Sequence, residues 1–401
     1  MLQLFKNEKI QLYLFTPFLI LTIVLFIHSR VYSLDFSLTL DPYMYSTWLF
    51  SYEYGFMQRG FIGEIFNQLN LNKNYNSIRS ISFSIVLILY YLLYILILNI
   101  LKKTNLSKKN IILYISCFFF CSFTLSEFIL EAGRFDQIFQ ILTLLFLFIL
   151  IKIKIKSYII SSLYILLIIP LITITHEAGI IIFLPLILSI YYLEYKKIIP
   201  IIVFLALSII SITLISHFGK INTLHLEKLI STYEEYRGYN EFAFRTTSLS
   251  LYENLLMNWH SLIERKTFIP IILSLIIIYP VIRLITISIS KTSYLYYFIF
   301  TMSPLALSLI AYDYFRWISL FLFNFFILFT YLINKKLISN SQLRDNLIKY
   351  RKNIIIYCTL SLFLGPLGVI NLYPHIHKVN SGGLSSKNLP IDTQKKLNFL
   401  N

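Results

Sequence analysis

The chain has 401 residues, 57% apolar and only 13% charged, with a net charge of +16 and a mean hydropathy of +0.72. A soluble domain carries roughly 25% charged residues and cannot bury so large an apolar share, which excludes a cytosolic enzyme. Three cysteines are too few for a disulfide scaffold, and the apolar excess excludes a disordered chain.

The first apolar run, 11–29, lacks a small-residue cleavage site and is expected to stay as an anchor. Further long apolar runs predict spans at 80–101, 111–130, 137–151, 158–175, 179–194, 198–216, 268–288, 293–311, 317–334 and 353–372. The expected fold is therefore an all-α, polytopic integral membrane protein of about 11 transmembrane helices. Residues 1–372 form one transmembrane domain, and 373–401 form a polar tail. Cys117, Cys121 and Cys358 fall inside apolar runs and read as small core residues.

Lysine and arginine placement sets the orientation. With the N-terminus cytoplasmic, the inner segments hold 19 of the 35 basic residues, among them Lys102, Lys103, Lys108, Lys109, Lys335 and Lys336. The two long loops, about 30–79 and 217–267, and the tail then face outward. The basic charge is thus dispersed between apolar runs and forms no nucleic-acid footprint. Of the 19 acids, only Glu8, Glu194 and Asp345 fall inside.

Five polar clusters lie where spans meet the predicted outer surface. The first follows span one: Asp35, Asp41-Pro42-Tyr43, then Tyr52 to Glu64, where aromatics alternate with glycines and charges. This stretch is expected to form short interfacial helices. Its tyrosines fit an interfacial aromatic belt, while Arg59, beside Gly60, offers a guanidinium fork suited to a phosphate. The second is Glu127, Glu131, Arg134 and Asp136, which reads either as structural pairs or as a wet, polar lip. The third is His176-Glu177 in the hairpin between spans five and six. There a neighbouring carboxylate is expected to bring the imidazole into the physiological range for proton transfer. The pair equally fits a buried group orienting the turn. The fourth is the loop 217–267, with Arg237 and Arg245 as anion-binding candidates on an otherwise solvated, amphipathic stretch. The fifth is Asp313 and Arg316, spaced to pair with each other or to meet a substrate. All five lie on one side of the membrane, and charge at mid-depth is scarce. A site at the outer lip fits this better than a solute pathway.

An acid shortly after the first span, the interfacial Tyr52-Glu53-Tyr54-Gly55 and Arg59-Gly60-Phe61-Ile62-Gly63, and the polar outer turns resemble GT-C membrane glycosyltransferases. The layout most resembles the Wzy-type polymerases of bacterial O-antigen and capsule polysaccharide. The chain has no DxD pair. The resemblance implies a GT-C-like fold in the bacterial inner membrane, acting on sugar repeat units carried on undecaprenyl (di)phosphate. It further implies Asp41 as general base or acceptor-orienting group, with Arg59, Arg237 and Arg245 holding the diphosphate. The wider inventory offers His176 and Glu177 for proton transfer, and Arg134, Asp136, Asp313 and Arg316 for substrate contact. Expected partners are the lipid-linked sugar, membrane lipids, a chain-length regulator and a flippase. No cofactor is evident; a divalent metal stays possible, with no residue pattern to support it. A transferase using a polyprenyl monophosphate donor and a polysaccharide flippase are the alternatives.

Overall fold

The computed structural model describes residues 8–31, 40–53, 55–71, 74–153, 157–234, 239–249, 251–264, 268–286, 295–311 and 313–364. All regular structure among these is helical. Six helices are long and apolar enough to cross a membrane: Glu8–Ile27, Tyr75–Lys103, Tyr158–Thr175, Ala178–Tyr195, Ile199–Phe218 and Tyr314–Asn334. Shorter apolar helices cover Asp136–Ile151, Ile271–Arg283 and Tyr297–Leu309.

Two predicted spans are not single helices. The run 293–311 divides into short α and 3-10 segments between Leu295 and Leu309. The run 111–130 divides into Lys108–Phe119 and Leu125–Leu130. The polar residues between these two helices explain the second break. The Thr124 hydroxyl bonds back to the carbonyls of Cys121 (2.8 Å) and Phe118 (2.9 Å). Ser361, on the helix Arg351–Leu364, accepts from the Ser122 amide at 2.9 Å. The Ser122 hydroxyl in turn donates to the Ser361 carbonyl at 2.7 Å. Irregular backbone at membrane depth persists only where protein partners satisfy the freed groups, and Ser361 supplies them. The remainder of the predicted last span and the tail 373–401 lie outside the described residues.

The helix Tyr314–Asn334 is central: it is largely apolar, with Arg316, Ser319, Asn324 and Thr330 among its buried residues, and it is almost wholly buried. Its Asn324 amide donates to the Ile182 carbonyl at 2.7 Å, three residues before Pro185, which lies within the continuous helix Ala178–Tyr195. By contrast Ile199–Phe218, equally apolar, leaves most of its surface exposed, with Ile199 at 74% and Ile209 at 66%. That exposed face is suited to lipid.

The two ends of the bundle differ chemically. At one end the lysines of predicted inner turns join neighbouring helices: Lys103 to Asn334, Lys108 to Gln11, and Lys335 to Glu194 at 2.7 Å. At the other, the two long loops fold into short helices, including Pro42–Thr47, Gly60–Gln68, Thr223–Tyr233 and Glu241–Thr246. They pack on each other through Gln58 Nε2 to the Thr247 carbonyl (2.8 Å), Asn240 N to Ser46 Oγ (2.8 Å) and the Phe50–Phe244 rings.

Candidate functional site

Helix ends and tight turns deliver the polar side chains. Asp41 is the N-cap of Pro42–Thr47, accepting from the amides of Tyr43 at 2.8 Å and Met44 at 3.4 Å. Pro42 at the first helical position starts the turn. Just beyond that helix, buried Trp48 donates its indole N–H to the Gly133 carbonyl at 2.7 Å. This bond fastens the turn before Asp136 to the first loop. Gly133 has φ +95°, and a Cβ there would meet Leu40 Cδ1 at 2.8 Å, so the turn requires glycine. In the hairpin between Tyr158–Thr175 and Ala178–Tyr195, a Cβ on Gly179 would meet Ile172 at 2.6 Å and Phe139 at 2.8 Å. The missing side chain lets His176 and Glu177 sit tight against the helix Asp136–Phe148.

Four of the five predicted clusters converge. Arg59 Nε lies 3.1 and 3.2 Å from the two carboxylate oxygens of Glu177, and Nη2 also binds Oε1. Arg134 donates to Glu131 at 2.8 Å and to Asp313 at 3.3 Å, with its guanidinium 4.9 Å from the centre of the Tyr43 ring. Arg316 binds Asp136 at 2.5 Å and Asp313 at 3.0 Å, and lies over the Trp317 ring. Asp313 therefore bridges two arginines. Tyr43 and Arg134 both act electrostatically on Arg59, and His176 feels Arg59, Glu177, Asp136 and Arg316. Together these contacts join residues from the first loop, two hairpins and the start of the central helix into one network.

Burial and charge set the protonation states. Burial pushes the Glu177 carboxyl up, but the Arg59 guanidinium and His176 outweigh it and hold its pKa at about 2. Burial and then the Arg59 charge lower the His176 imidazole to about 4, against smaller upward pulls from Glu177 and Asp136. This departs from the expectation of a histidine titrating in the physiological range: Arg59 takes up the charge of Glu177 and adds its own repulsion. His176 is therefore neutral at pH 7. Burial likewise raises Asp313, but Arg134 and Arg316 hold it below the usual carboxylate range.

Several buried polar atoms here lack a protein partner among the described residues: Asp136 Oδ1, Arg316 Nη2, His176 Nδ1 and Glu127 Oε2. Asp136, Arg316 and Glu127 are each at most 5% exposed. Buried polar groups are ordinarily satisfied, so these atoms mark where a polar ligand or water would bind. The other candidates stand apart. Arg245 is held within its own loop by Glu227 at 3.0 Å and Glu241 at 2.5 Å. Asp41 is exposed and serves its cap, while Asp35 and Arg237 lie outside the described residues. Two glutamines escape the sequence reading. Gln137 donates to the carbonyls of Phe128 (2.8 Å) and Glu131 (3.0 Å). Gln140 is 1% exposed, with its amide atoms unpartnered by protein. The signal was available: Asp136-Gln137 with Gln140 one turn on, inside an otherwise apolar helix.

Among the described residues no group of His, Cys, Asp or Glu side chains is arranged to hold a metal ion. Fold and site together define a helical membrane protein with a buried ion-pair network at one end of its bundle. No model of a known protein family, no curated protein and no solved structure matches the chain.

Proposed function

We propose that the chain is a GT-C-like membrane glycosyltransferase joining sugar repeat units carried on a polyprenyl diphosphate, at the outer face of a bacterial cytoplasmic membrane. The observation that carries this reading is the convergence of three arginines, a neutral histidine and unpartnered buried polar atoms at the end of the bundle predicted to face outward. Glycosyl transfer needs a base for the acceptor hydroxyl and cations for the departing diphosphate. His176 takes the proton as the acceptor oxygen bonds to the anomeric carbon. The bond from that carbon to the diphosphate oxygen breaks, and the leaving charge falls to Arg59.

Arg59 and Glu177 are already paired, so an arriving diphosphate competes with Glu177 for the guanidinium. Compensating Arg59 in this way relieves the largest charge holding His176 down. Glu177 and Asp136 then strengthen the base when substrate is present. Arg316 and Arg134 keep Asp136 and Asp313 ionised around it.

A second reading, a transporter of the lipid-linked unit, draws on the broken helix at residues 119–125 and on buried Glu127 just beyond it, since discontinuous helices line many transport sites. Deleting the gene and analysing the glycan separates the readings. Loss of long chains with one repeat unit retained supports polymerisation. Loss of a single branch sugar indicates the monophosphate-donor transferase, and accumulation of inward-facing lipid-linked units indicates transport. On complementation, Arg59→Ala, His176→Ala and Glu177→Gln should each insert normally yet lower chain growth by roughly 100-fold. Full activity in all three overturns the site.

A further inference from the structure

At the lysine-rich end of the bundle, opposite the ion-pair network, lies a cavity of about 360 Å³. It is bounded by Tyr75–Lys103, Lys108–Phe119, Phe268–Thr286, the central helix, Asn340–Lys349 and Arg351–Leu364. Its volume is in the range of ligand pockets, roughly 300–1,000 Å³. The wall has Thr124, Asn353 and the tyrosines Tyr114, Tyr279, Tyr350 and Tyr357 as its uncharged polar residues. It is otherwise mostly aliphatic, aromatic and thiol, with Leu322, Phe326 and Phe329 from the central helix alongside Cys117, Cys121 and Cys358. Such a wall gives water few partners, and an empty apolar void forfeits packing contacts. Within a bilayer the available filler is hydrocarbon.

Charge at the cavity narrows the choice. Arg283, in the last turn of Phe268–Thr286, is the charged group among the described lining residues. Arg351 acts electrostatically on the lining Tyr114 hydroxyl, and the Lys349 ammonium lies 5.5 Å from the ring centre of lining Tyr350. Among the described residues no carboxylate pairs with Arg283, Lys349 or Arg351. A free phosphate would leave the apolar wall unused, and a zwitterionic lipid would leave the cations uncompensated. Both features are met by a lipid with a net negative headgroup.

We propose that this cavity holds one acyl chain of an anionic phospholipid from the leaflet at the lysine-rich end, with its phosphate at Arg283. The site is separate from the ion-pair network and does not depend on the reaction proposed there.

The chain has three cysteines, and all of them line this cavity, so alkylation of the native protein reports on it alone. Rates of N-ethylmaleimide labelling would be compared in delipidating detergent, in phosphatidylcholine vesicles and in phosphatidylcholine vesicles containing phosphatidylglycerol. Phosphatidylglycerol should slow labelling about tenfold relative to phosphatidylcholine alone, by mass action on the occupied site. Arg283→Ala should remove that difference, with Arg283→Gln as a second variant should the first fail to fold. Native mass spectrometry of the wild-type protein should find retained phosphatidylglycerol. Equal labelling in the two vesicles, or a difference that survives both substitutions, overturns the proposal. If the thiols are unreactive in every medium, absence of retained phosphatidylglycerol overturns it instead.

Discussion

Arg59 concentrates the physics of the site at the scale of one residue. It adopts φ +65° and ψ 4°, a left-handed conformation that costs a non-glycine residue roughly 1–2 kcal/mol. Such strain persists where the surroundings over-determine the residue, and here the two-point contact with Glu177 does so. Strain and charge can be separated. Arg59→Gly and Arg59→Ala should both lose activity, but the glycine variant should be the more stable by about 1 kcal/mol in thermal unfolding. The neighbouring titrations predict a pH dependence. His176 is held at about 4 against its ordinary 6.5, so over that interval the unfolded chain binds a proton that the native ring refuses. Stability therefore falls as pH drops from 6.5 towards 4. Glu177, held at about 2 against 4.5, adds a second loss as pH falls from 4.5 towards 2, because the native carboxylate stays charged where the unfolded one protonates. Unfolding temperatures measured across this range should show the first loss flattened in His176→Asn.

Among the elements, the turns and breaks carry more information than the helices. The turn through Gly133 aims Arg134 at Asp313 and Tyr43, and it is held by the Trp48 indole. Gly133→Ala brings a Cβ onto Leu40 at φ +95° and should cost about 1–3 kcal/mol, read by thermal unfolding together with reduced chain growth. The break between Phe119 and Leu125 depends on Ser361. Ser361→Ala leaves the Ser122 amide without its acceptor and should cost about 1–3 kcal/mol. An unchanged unfolding temperature in that variant would mean that other groups satisfy the break. Reading the sequence for long apolar runs misses such a break because Ser122 and Thr124 are outweighed by the phenylalanines and leucines around them.

For the whole molecule, charge divides between two ends. Lysines tie helix ends together at one, and the arginine–carboxylate network gathers at the other. This division is the basis for the predicted orientation, and it can be tested directly. Gln68 and Lys109 are exposed at opposite ends, and the three native cysteines are buried. A membrane-impermeant maleimide applied to intact cells should label the Gln68→Cys protein and leave the Lys109→Cys protein unlabelled. The reverse pattern would invert the orientation and move the proposed glycosyl-transfer site to the wrong face.

Membrane class, the positions of the long helices and the gathering of lysines at one end and of arginines with carboxylates at the other follow from the sequence, because hydropathy and charge placement are properties of local stretches. The clusters holding Arg59, Arg134, Asp136, His176, Glu177, Asp313 and Arg316 were legible for the same reason, as charges flanking apolar runs. Their partnerships were not. Arg59 meets Glu177 across 118 positions and Arg316 meets Asp136 across 180. Local pattern carries no trace of contacts at such separation. Only the packing of the hairpins against the central helix decides that Asp136 pairs with Arg316 instead of Arg134, and that Asp41 caps a helix. The same packing makes Arg59 the group that sets the proton affinity of His176, because electrostatic interaction depends on distance through space.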